Sequence, residues 1–153
     1  MKVDMITRSV SRTVDNKIIR VIANTVNDGS ELMPGMGAYR HTIYIEFKKE
    51  DWKFFEYPKL EKKEFAGKPY LSFDYNNCSF NEIEVHWDVT YYDEIKYATL
   101  KNSTRVKVGW DFQHLGDDHY STEDLGQHLL DAHAEEMMDQ FVVIHEEREK
   151  ESK

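Results

Sequence analysis

Arg105-Val-Lys-Val-Gly-Trp-Asp-Phe-Gln-His-Leu-Gly-Asp-Asp-His-Tyr120 is the stretch on which the reading of this chain turns. Its first half alternates with period two: Val106, Val108, Trp110 and Phe112 on one side, Arg105, Lys107, Gly109 and Asp111 on the other. That is the signature of a strand with one buried face. The second half abandons the alternation. Gly116 sits among Asp111, His114, Asp117, Asp118 and His119, a polar loop at a strand end, where binding and catalytic groups commonly lie.

Working outward, the segment Glu82 to Tyr92 has the same alternation and predicts a second strand. Ile83, Val85, Trp87, Val89 and Tyr91 form its apolar face, with Glu82, Glu84, His86, Asp88 and Thr90 opposite. Its acidic side chains complement Arg105 and Lys107, so the two strands are expected to pair antiparallel. The link from Asp93 to Thr104 is long for a hairpin loop and is expected to be partly extended.

Further upstream, His41, Ile43, Ile45 and Phe47 alternate with Thr42, Tyr44 and Glu46, and the β-branched run Lys17 to Val26 predicts another strand. Tyr70 to Tyr75 reads as a strand closed by a turn at Asn76-Asn77. Lys48 to Lys68 is irregular, with a short helix expected at Lys59 to Glu64. Toward the C-terminus, Ser121-x-x-Asp124 resembles a capping box. At 3.6 residues per turn, Leu129, Leu130, Ala134, Met137, Phe141 and Ile144 fall on one stripe, and His128, Asp131, Glu135 and Asp139 on the opposite side. The expected fold is α+β: an antiparallel sheet of four to six strands with one long C-terminal helix packed on one face. Residues 1–145 form the expected single domain, with 146–153 a charged tail fraying into solvent.

The chain has 153 residues, 40% of them hydrophobic and 13% aromatic, enough for a core. Its net charge of −9 argues against general nucleic-acid binding, which needs a basic surface. A single cysteine, Cys78, allows no internal disulfide, and no run approaches the length of a membrane span. A soluble cytoplasmic protein is the expectation, with homo-oligomerisation left open. No phosphate loop, nucleophile elbow, dinucleotide fingerprint or His-Glu-x-x-His motif is present, so the common enzyme classes have nothing to rest on.

Period-two counting places His86, Asp88, Thr90 and Asp111 on one sheet face, with His114 and Asp117 in the loop beyond. These six are the candidate ligand-binding residues. Imidazole with carboxylate suits acid–base work or a divalent metal, though the spacing fits no defined zinc motif. An ordinary solvated sheet face competes with that reading. Trp52, Phe55, Tyr91 and Tyr92 could stack on a nucleobase, but core packing is the stronger expectation for aromatic side chains.

Val85-His86-Trp87-Asp88-Val89-Thr90-Tyr91, followed by Val108-Gly109-Trp110-Asp111-Phe112-Gln113-His114-Leu115-Gly116-Asp117, resembles a family of small uncharacterised phage and prophage proteins. Those carry a His-Gly-Gly-x-Thr-Tyr/Phe strand, then Gly-Phe-Asp-x-x-His-x-Gly-Asp and a C-terminal helix. The similarity spans roughly Ile83 to Phe141, and Trp87 and Asp88 stand where that family has glycines. It implies a phage-encoded accessory protein and brings no activity with it. The functional expectation is a protein that binds and neutralises a host defence component, either a protein or a nucleotide signal, in the host cytoplasm. The alternative is a small metal-dependent hydrolase or nucleotide-processing enzyme.

Overall fold

The computed structural model describes residues 4–27, 39–85, 88–96, 103–111 and 125–153. Five strands form one antiparallel sheet in the order β1-β2-β3-β7-β6: β1 (Asp4–Val14), β2 (Lys17–Asn27), β3 (Tyr39–Lys48), β6 (Tyr91–Lys96) and β7 (Thr104–Asp111). A separate two-stranded hairpin pairs β4 (Lys59–Phe65) with β5 (Lys68–Asp74). The chain ends in the helix α1 (Leu125–Glu151), which lies over β1, β2 and β3. The α+β architecture follows the alternation of the strands and the single helical stripe.

One face of the sheet builds the core. Ile19, Val21 and Ala23 of β2, Ile43, Ile45 and Phe47 of β3, and Val106, Val108 and Trp110 of β7 are all buried. The predicted helical stripe meets them: Leu129, Leu130, Ala134, Met137, Phe141 and Ile144 are buried, joined by Met138 and His145. Burying a large apolar side chain contributes roughly 1.5–3 kcal/mol, so this stripe, rather than helix propensity, holds α1 in place. Beyond β3 the core becomes aromatic. Phe47, Phe55, Phe80 and Trp52 cluster around Phe141, with ring centroids 4.7 Å (Phe55) and 4.9 Å (Phe47, Trp52) from it.

Four expectations need correction. Lys59–Glu64 is not a helix but strand β4: Ala66 and Gly67 take positive φ of 52° and 80°, the two-residue turn that matches the twist of a hairpin. Glu82 to Tyr92 is not one strand. Ser79–Glu82 is a 3-10 turn, the described residues between it and Tyr91 are irregular, and strand structure starts only at Tyr91. The phase is inverted there as well, because Tyr92 is buried beside Val108 while Tyr91 is 40% exposed. Finally, 146–153 does not fray. The helix runs to Glu151, and Arg148 is clamped by Glu56 (2.7 Å) and Glu82, which ties the last turns to the body. β1 carried no strong alternation of apolar residues and was not anticipated.

The pairing expected between β7 and its acidic neighbour exists, but in another place. Asp93 of β6 lies opposite Lys107, and on the other side Glu46 of β3 lies opposite Lys107 and bonds Arg105 at 2.9 Å. Charge complementarity chose the right chemistry and the wrong register.

Candidate functional site

Of the six expected ligand residues, His86, His114 and Asp117 lie outside the described residues. The other three do not share the expected sheet face, because Asp88 and Thr90 precede β6 and are not in a strand. Asp111 closes β7 on the face turned away from the helix, opposite Thr42 of β3. Thr90 donates its backbone N–H to Gly109 O at 2.9 Å, which starts the β6–β7 ladder, and its side chain is exposed.

Asp88 lines a polar cleft of about 390 Å³ between the root of the β4–β5 hairpin and the segment before β6. Lys63, Ser72, Asp74, Asn81 and Val89 share its walls. Two of these groups are committed to local structure. Asp74 accepts the Asn76 backbone N–H at 3.0 Å, and Asn81 bridges Tyr75 O (2.7 Å) to Val89 N–H (3.3 Å). Among the described residues no three His, Cys, Asp or Glu side chains converge as a metal-binding set.

Sequence reading passed over a second polar cluster, inside the fold. Thr25 and His41 are buried at the helix-covered face, with Thr25 Oγ1 and His41 Nδ1 3.0 Å apart. Gly126 brings the start of α1 against them: a Cβ there would stand 2.7 Å from Thr25 Oγ1 and 3.0 Å from Arg8 Nη1. The one available signal was a histidine in an otherwise apolar strand face. The Thr25–His41 pair, sealed from solvent on both sides, reads as a hydrogen-bonded core contact.

The aromatic candidates also sort themselves. Trp52, Phe55 and Tyr92 are buried and unavailable for stacking on a base, whereas Tyr91 is exposed. Burial and the nearby Glu94 carboxylate hold the Tyr92 phenol well above its ordinary range, and its hydroxyl donates to Glu94 at 2.9 Å. Lys49 bonds the same Glu94 at 3.0 Å and sits over the Tyr57 ring, so this half-buried group is internally satisfied.

What remains unsatisfied is the hairpin. Every residue of β4 is exposed, and apolar side chains stand out from both strands: Leu60 56%, Phe65 77%, Tyr70 46% and Leu71 65% exposed. Leu60, Leu71 and Phe73 share one face, and Phe73 anchors that face to the body through Tyr92, with ring centroids 4.8 Å apart. An isolated two-stranded hairpin is marginal in water, and this one exposes apolar side chains on both faces, Leu60 and Leu71 on one and Phe65 and Tyr70 on the other, which marks it as an interaction element. Lys59, Lys62, Lys63 and Lys68 interleave with those side chains, the pattern that keeps an exposed hairpin from pairing indiscriminately.

The chain matches no known protein-family model, no curated protein and no solved structure. No helix among the described residues is long and apolar enough to cross a membrane.

Proposed function

We propose that this protein acts by binding and neutralising a protein target, with the β4–β5 hairpin as its contact element. The resemblance to phage and prophage accessory proteins makes a host defence component the expected target and the host cytoplasm the place of action. The observation that carries the reading is the exposure of Leu60, Phe65, Tyr70 and Leu71 on one projecting hairpin. Apolar and aromatic anchors ringed by charge are the usual composition of a protein-binding patch. A protein target is favoured over a nucleotide because three of the four candidate stacking aromatics are spent in the core.

The test replaces Leu60 and Leu71 with Ser together and measures the protection that the protein gives an infecting phage in a defended host. Both side chains are exposed, so the double variant should melt within a degree or two of the parent while losing the protective effect. Retention of full protection by the folded variant refutes the hairpin as the contact element. Turnover of a nucleotide by the parent protein refutes the binding mechanism itself.

A further inference from the structure

The two edges of the main sheet are protected very differently. β6 is six residues long and carries Asp93, Glu94 and Lys96. β1 is eleven residues long, contains no proline, and pairs with β2 through an unbroken register from Asp4–Asn27 to Val14–Lys17, with no bulge. Long, flat edges without proline, bulge or outward charge are templates for further strand pairing. Among the described residues nothing pairs with the outer edge of β1.

We infer that this edge is a self-association surface, and that two copies of the chain join β1 to β1, antiparallel, into one continuous ten-stranded sheet. The strand's own sequence is the argument for a second copy as occupant. With the two-fold axis at Ser9, the middle of the strand, the side chains on the face away from the helix pair as Ser9 with Ser9, Thr7 with Ser11 and Met5 with Thr13. Ser and Thr opposite one another are favourable cross-strand neighbours. On the helix side, Arg8 falls opposite Val10 and Arg12 opposite Ile6, so no like charges stand directly opposite; the two Arg8 side chains are diagonal neighbours across the axis, each with its Nη1 held against Gly126 of its own helix.

Inward-pointing cations can themselves guard an edge. Here Arg12 is neutralised within its own copy, forked between Asp139 (2.6 Å) and Glu135 of α1. The guanidinium is thereby folded against the helix and leaves the backbone edge open. A two-fold pairing of identical edges also closes on itself, giving a dimer and not a filament. The surface is separate from the β4–β5 hairpin and does not depend on its role.

Sedimentation of the full chain at about 1–100 μM tests this, since dimer population follows concentration. The expected species has twice the 18.2 kDa chain mass. Ser9→Glu and Ser9→Lys each place like charges across the axis and should be monomeric with unchanged far-UV dichroism; mixing the two in equal amounts should restore the dimer. A parent that is monomeric throughout, a Ser9→Glu variant that still dimerises, or a dimer abolished by Leu60→Ser with Leu71→Ser would each overturn the proposal. If a Ser9 variant loses its fold, Thr7→Lys with Ser11→Lys in one chain takes its place: these positions face each other across the axis, so the double-lysine chain should be monomeric, whereas Thr7→Glu with Ser11→Lys should dimerise.

Discussion

Gly109 lies in β7 on the outer face of the sheet, and the space its side chain would fill is taken by Tyr44. A Cβ at Gly109 would stand 2.3 Å from Tyr44 Cδ1, 2.6 Å from Cε1 and 3.2 Å from Ile43 O. Gly109→Ala must therefore displace the ring. Tyr44 is held there by an edge contact with Tyr91 (5.5 Å between centroids) and by Lys107, whose ammonium lies 4.3 Å from the ring centroid. Losing the aromatic pair costs about 0.5–1.5 kcal/mol and the cation contact about 0.5–1. The better strand preference of alanine returns about 0.5–1 kcal/mol. The net expectation is a loss of about 1 kcal/mol, read as a shift of about 2–4 °C in Tm for a chain of this size. Urea denaturation of a double-mutant cycle isolates the cause. In a Tyr44→Ala background the obstruction is gone, and Gly109→Ala should become stabilising. If Gly109→Ala destabilises equally with and without the Tyr44 ring, the close packing of that ring is not what requires the glycine.

Trp110 is 1% exposed and sits in the same core as Met137 and Phe141, so Trp110→Ala should cost about 3–5 kcal/mol; a loss under about 1 kcal/mol in chemical denaturation would contradict that placement. His145 is buried and accepts the Phe54 backbone N–H on Nε2 at 3.2 Å, and burial, helped by the charge of Lys17 and opposed by Glu149, lowers its pKa below 6.5. Below pH 6.5 the unfolded chain therefore takes up the proton first, so stability is full above that pH and falls as pH drops toward the folded-state pKa. Melting curves from pH 7.5 to 5.5 should show this slope, and His145→Gln should flatten it; identical slopes in parent and variant would assign the effect elsewhere.

The parts of the fold that sequence made legible are those where one physical signal dominates. β3, β7 and α1 each bury one face against a single partner, so period two and period 3.6 stand clear, and all six stripe residues of α1 are buried. Of the hairpin, β5 (Lys68–Asp74) was legible in the expected strand Tyr70 to Tyr75, whereas β4 was hidden because every residue of it is exposed, leaving the charged run from Lys59 to Glu64 with a helix-like composition. Residues 82–92 misled for the opposite reason. Ile83 and Val89 are buried in the same core cluster as Phe80, so apolar residues recur there although the described residues 83–85 and 88–90 form no strand. The candidate site inherited that error through Asp88 and Thr90. The Thr25–His41 pair could not be singled out, because only the β2–β3 register sets Thr25 opposite His41, and the sequence signal was a single histidine in an apolar strand face.

The position of α1 over β1 and β2 sets a constraint on the birth of the protein. The first two strands leave the ribosome well before the helix that covers them, Leu125–Glu151. At about 5–20 residues per second, the roughly 100 residues between Asn27 and Leu125 take about 5–20 s to synthesise. Through that interval Ile19 and Val21 have no helix over them, and both are fully buried in the finished structure. Nascent chains of this protein should engage holdase chaperones until the helix emerges, and fragments stopped before residue 125 should accumulate as aggregates.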